Sequence, residues 1–177
     1  MTNNEMITKA LTTGFTNAAE LYNLKLQCQP HLREYCNPQG CPNHGNNWVC
    51  PPGCGSLEDC ARTVSRFDAG ILLQSVSKLA PNTTNEDYKV LTHQHNLRLQ
   101  TFLETHCSDA AAILALTTGG CVFCDTCAFP QPCRKPNLRM NSLSAYGIDV
   151  GKLCELAGFD YAFSSDKLYL IALVLLS

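Results

Sequence analysis

No stretch of this sequence is apolar for long enough to cross a membrane as a helix. The longest apolar run, Leu168–Leu176, is about nine residues, whereas a spanning helix needs roughly 20; the run reads as a buried strand. An excess of one charge is also missing. With 13 basic and 15 acidic residues, the chain has no overall field to draw in nucleic acid or an anionic membrane surface. Its start lacks the features of a secretory leader, because Glu5 stands where basic residues belong and no unbroken apolar segment follows before Gly14. A cytoplasmic protein is expected. No dinucleotide fingerprint, phosphate loop, HExxH helix or Ser-His-Asp set occurs, which weighs against NAD, FAD or ATP binding and against those hydrolytic sites.

Cysteine, by contrast, is abundant, at 12 of 177 residues. A chain of this length buries a core without cross-links, so folding does not call for disulfides. In a reducing compartment, clustered thiols read as metal ligands.

The elements are expected as follows, within a single metal-binding domain over 1–177. Ile7, Leu11, Phe15, Ala18 and Tyr22 follow a helical spacing over 5–22, and Leu24, Leu26 and Cys28 then alternate, giving an N-terminal helix and strand within 1–30. The first cysteine loop occupies 31–60. At its end, Ser56–Asp59 forms a near capping box for a short helix with Cys60, Val64 and Phe67 on its stripe. A strand over 69–76 leads to a second box, Thr84–Asp87, and a helix of about 20 residues striped by Leu91, His95, Leu99, Phe102, Leu103 and His106. Another buried strand spans 110–116, and the second cysteine loop 117–140. A helix over 148–157 stops at Gly158 before the final strand. Such alternation predicts an α/β fold, a small layered sheet with flanking helices and both cysteine loops at one end.

The second loop carries Cys121, Cys124, Cys127 and Cys133 at C-x2-C-x2-C-x5-C spacing. Three thiolates at two-residue gaps wrap a loop around one face of a cubane, and a fourth beside proline resembles the bacterial ferredoxin run. Structural zinc sites more usually show two separated C-x2-C knuckles, so zinc is the alternative and a [4Fe-4S] cluster the first expectation. The first loop carries Cys36, Cys41, Cys50 and Cys54, stiffened by Pro38, Pro42, Pro51 and Pro52. Either each loop holds its own cluster or both feed one centre. Spacing leaves the fourth ligand of each open among Cys133, Cys54 and His44, since imidazole replaces thiolate at some clusters.

These residues resemble a known family. Cys36…Cys41-Pro-Asn-His-Gly-Asn-Asn-Trp-Val-Cys50-Pro-Pro, then Gly-Gly-Cys121…Cys124…Cys127…Pro-Cys133-Arg-Lys-Pro, then Ser142-Leu-Ser-Ala-Tyr-Gly-Ile-Asp-Val150 are similar to the predicted metal-binding family called domain of unknown function 2284. The likeness runs from about Arg33 to the C-terminal strand. It implies a prokaryotic, anaerobe-associated metalloprotein, often encoded near corrinoid-dependent methyltransferase systems, and so a corrinoid protein as redox partner. In the family pattern Tyr more often fills the place of His44, and position 54 is not included; the resemblance therefore implies Cys36, Cys41 and Cys50 as first-loop ligands.

The remaining cysteines have plainer readings. Cys28, Cys60 and Cys154 sit on apolar stripes and read as buried small hydrophobes, while Cys107 ends a helix and reads as a buried structural residue, with a free thiol as the alternative. His93 and His95 are two apart and cannot chelate from one helix face; His95 and His106 read as core histidines. Asp125 reads as solvent-facing. Arg134, Lys135 and Arg139 either face solvent, compensate an anionic cluster or receive an acidic partner. Three functions follow: a one-electron carrier, a cluster enzyme with an open iron, or a zinc-stabilised protein-interaction module.

Overall fold

A computed structural model describes residues 3–107, 110 and 112–176. Its order is α1 (Asn3–Thr12), β1 (Asn17–Leu21), α2 (Pro30–Arg33), α3 (Leu57–Val64), β2 (Gly70–Lys78), α4 (Asn85–His106), β3 (Ile113–Thr117), β4 (Met140–Ser142), α5 (Val150–Ala157) and β5 (Lys167–Leu176). The strands form one sheet in the order β1-β2-β5-β3-β4. All neighbours run antiparallel except β3 and β4, which are parallel.

β5 is central because its apolar run has no polar face to expose. Leu170 through Leu175 are all buried, and their period of two divides the core. Ile171, Leu173 and Leu175 join Leu72, Leu114 and Leu116 under α3 and α5 through Cys60, Val64, Leu153 and Cys154. On the other face Ala172 and Val174 join Ile71, Leu73 and Ala115 under α1 and α4 through Met6, Ala10, Leu99, Phe102 and Leu103. Each fully buried leucine contributes roughly 1.5–3 kcal/mol over its exposed state. This is the expected α/β layering, with helices on both faces.

Both capping boxes form. Ser56 and Asp59 exchange side-chain-to-backbone bonds at α3, and Thr84 and Asp87 do so at α4. α5 stops where Gly158 takes a left-handed φ of 70°.

The N-terminal helix is shorter than its spacing predicts. α1 ends at Thr12, Gly14 turns the chain at φ 103°, and Ala18 pairs with Leu73 in β1 instead of continuing a helical stripe. The face of α1 that meets the core carries Met6 and Ala10, four apart, whereas Leu11 is 45% exposed; pairing with β2 outweighs a helical pattern that runs across a glycine. Leu24, Leu26 and Cys28 make no ladder, although they pack against the core as irregular chain. The strand expected over 110–116 is β3, with Ala111 outside the described residues. β4 has no signal in the sequence, being only three residues long.

Within the second core face, His95 is buried, with Nδ1 2.8 Å from Ser75 Oγ and its ring edge-on to Phe15. Burial depresses its pKa to about 4, Arg98 adding to the effect and the Ile171 backbone opposing it. Between the ordinary value near 6.5 and 4, the unfolded chain binds a proton that the folded one refuses, so stability rises with pH across that window. Urea unfolding at pH 7 and at pH 4 should differ by about 3 kcal/mol through this residue, and His95→Gln should remove that part of the slope.

Candidate metal centre

The second loop is a crossover between parallel strands. It leaves β3 at Thr117 and returns at Met140, which pairs with Ala115; such connections are usually helices, but here residues 118–139 carry the cysteines instead. Asn96 of α4 fixes its departure. The Asn96 carboxamide donates to the carbonyls of Thr118 (3.2 Å) and Gly120 (3.1 Å) and accepts from Thr117 Oγ1 (2.7 Å). Gly119 sits against this anchor at φ +90°, where an added Cβ would lie 2.8 Å from Thr92 Cγ2. The backbone therefore enters Cys121 by a close approach that only glycine permits.

The first loop folds as successive turns around its cysteines. Asn37 Oδ1 accepts from the amides of Gln39 and Gly40, an Asx turn that leads into Cys41. The Cys41 carbonyl accepts from the His44 amide (3.1 Å), the Pro51 carbonyl from Gly45 (2.8 Å), and the Cys50 carbonyl from Cys54 (3.1 Å). Trp48 ties this loop to the other. Its Nε1 donates to the Gln131 carbonyl at 2.7 Å, and its ring meets Phe129 edge-on at 5.1 Å.

The thiols fall into two neighbourhoods. Burial pushes Cys50 up to about 11; Asn47 opposes it by hydrogen bonding, and Cys41, Cys36 and Cys54 add repulsion. Cys36 is raised by burial first and then by Cys41, with Arg33 opposing and Cys54 adding. In the second loop burial raises Cys121; the Phe123 and Met140 backbones oppose, and Cys133 and Cys124 add to the rise. The cysteine neighbours of Cys36 and Cys50 are thus first-loop residues, and those of Cys121 are second-loop residues. Among the described residues no three Cys, His, Asp or Glu side chains stand close enough to hold a metal ion as they are. Metal binding requires such thiols to lose their protons, and mutual repulsion makes them a set that a soft cation or cluster would relieve. The donor chemistry, the neighbouring sulfurs of Cys36, Cys41 and Cys50 in one loop and of Cys121, Cys124 and Cys133 in the other with Cys127 beside them, fits a thiophilic group.

Between the loops lies a cavity of about 320 Å³ lined by Cys121, Cys124, Cys127 and Cys133 on one side and Asn47 and Trp48 on the other. Arg134, Lys135 and Arg139 also border it. Two of these cations already have partners: Arg134 donates to the Thr126 carbonyl (3.0 Å), and Lys135 meets Glu104 at 2.8 Å and lies over the Phe123 ring. Arg139 is half-buried, borders the cavity beside the second-loop cysteines and lies near enough to Cys54 for its charge to act there, so it stands between the two neighbourhoods. His44 is half-buried in the first loop.

Cys60 and Cys154 are buried, as their stripes predict; Cys107 at the end of α4 is buried too, and Cys28 is half-buried against the core. Asn96 and Arg33 carry no chemical motif in the sequence and emerge only from the contacts. Asn96→Ala leaves the Thr117 hydroxyl and two carbonyls to find new partners. A stability loss of about 2 kcal/mol is expected, together with faster hydrogen exchange over 118–124 that Trp48→Phe does not produce.

No curated protein and no solved structure matches the chain. Residues 20–176 match the family model described as predicted metal-binding protein (DUF2284), and with thiol-rich loops clasped together over that span, the chain belongs to this metal-binding family.

Proposed function

We propose that the chain is an iron–sulfur protein carrying one or two [4Fe-4S] clusters ligated from Cys36, Cys41, Cys50, Cys121, Cys124, Cys127 and Cys133, and that its role is one-electron transfer. The observation that supports this is the pairing of two thiol neighbourhoods across the Trp48–Gln131 contact. Such a group, when bound, takes up and releases single electrons. The residues of the chain set its surroundings. Trp48 and Phe129 pack edge-on across the seam, Asn96 anchors the backbone that leads into Cys121, and Arg139 supplies a positive charge between the loops. The absence of a nucleotide cradle suits a carrier that receives electrons from another protein. A redox partner is the expected associate, and the family resemblance suggests a corrinoid protein.

The inter-loop cavity favours a second reading, an enzyme in which one iron is open to a substrate. A zinc-stabilised interaction module is the remaining alternative. Electron paramagnetic resonance on anaerobically purified protein, before and after dithionite, separates the three. A signal appearing on reduction, unchanged by small anions and lost or reduced by about half in Cys124→Ser and in Cys36→Ser, supports the carrier. A signal that shifts when a small ligand is added supports the open iron, and a silent, colourless protein supports zinc.

A further inference from the structure

Arg33, the last residue of α2, sets its guanidinium between two sulfurs. Nη1 lies 3.6 Å from Cys60 Sγ and Nη2 3.6 Å from Cys54 Sγ, while Nη2 also donates to the Gly55 carbonyl. The Cys60 thiol donates in turn to the Cys54 carbonyl at 3.6 Å. Cys54 and Cys60 flank Ser56, the N-cap of α3, so the capping box fixes the segment that joins them. Gly55 makes that segment compact at φ +85°, where an added Cβ would lie 3.1 Å from the Asp59 carboxylate.

The two thiols differ in access. Cys60 is 1% exposed, whereas Cys54 is only partly buried. Among the described residues no carboxylate pairs with Arg33, so its charge is directed to sulfur. A partly exposed cysteine in a cationic setting, with a second thiol behind it, has the features of a reactive thiol and its resolving partner.

We infer that Cys54 and Cys60, gathered on the Arg33 fork, form a thiol–disulfide couple, and that Cys54 is a site of modification by small disulfides and not a ligand of the metal centre. The Cys54 thiolate attacks one sulfur of a low-molecular-weight disulfide; that S–S bond breaks, one small thiolate leaves, and a mixed disulfide forms on Cys54. Cys60 gives its proton to the departing thiolate and attacks Cys54 Sγ. The protein S–S bond forms and the second small thiolate leaves. Two protein thiols are oxidised, and the small disulfide is reduced to two thiols. The product bond staples the end of the first loop to α3 beside the metal-binding cysteines.

The test exposes anaerobically purified full-length protein, with its metal in place, to oxidised glutathione. Free thiols are then alkylated, the chain is cut around residues 49–57, and the fragments are sequenced by mass spectrometry. A Cys54–Cys60 bond is expected in the wild type, and a stable glutathione adduct on Cys54 in Cys60→Ser. Arg33→Gln, which removes the cation 3.6 Å from Cys54 Sγ, should slow the reaction of Cys54 with oxidised glutathione several-fold. A Cys54 that stays reduced or pairs with Cys36 or Cys50 overturns the inference, as does a Cys54→Ser variant that binds less metal than the wild type. Iron and zinc are measured on the same samples, so failure of the cluster reading is seen separately.

Discussion

The pairing of β5 with its two neighbours is the constraint on which the centre depends. A strand of consecutive apolar residues has to be covered on both faces, and β2 and β3 flank it while helices close over each side. β3 is held by β5 along Ile113–Thr117, and this determines where the second cysteine loop departs. The short parallel β4 then determines where the loop returns. A loop rich in thiols and turns has little hydrophobic stabilisation of its own, so it takes its shape from its ends and from a few polar anchors. Asn96 is one of these and Trp48 another. A buried carboxamide that satisfies two carbonyls and accepts from a hydroxyl is an economical way to tie a helix to such a loop.

Burial and mutual repulsion act together on the sulfurs of each group. Each buried thiol is raised chiefly by the cost of charging it away from water, and its neighbours add repulsion. Deprotonation becomes favourable only when positive charge arrives to offset both effects. Within this arrangement Cys54 differs in having the Arg33 guanidinium 3.6 Å from its sulfur. The first loop thus sets Cys54 beside a protein cation, while Cys36 and Cys50 are raised by burial and by their cysteine neighbours.

Much of this was legible in the sequence because it depends on local chemistry. Capping boxes at Ser56 and Thr84, the glycine stop at Gly158 and the apolar run of β5 are short-range signals, and all four appear in the fold. Periodicity misleads at the N-terminus, where Phe15, Ala18 and Tyr22 fit a helix but the edge of β2 recruits residues 17–21; long-range pairing leaves no local trace. β4 is invisible for the same reason. At the centre, spacing identifies the cysteines but not their company. Arg33 and Asn96 are separated from the thiols they serve by more than 20 positions, a distance over which a single sequence carries no contact information.

The most direct test of the central claim is elemental: iron, acid-labile sulfide and zinc per chain in protein purified without exposure to air. About four or eight iron with matching sulfide is the predicted result, corresponding to one or two cubanes. Stoichiometric zinc without sulfide would contradict it, and the two clasped loops would then be the scaffold of a structural zinc site.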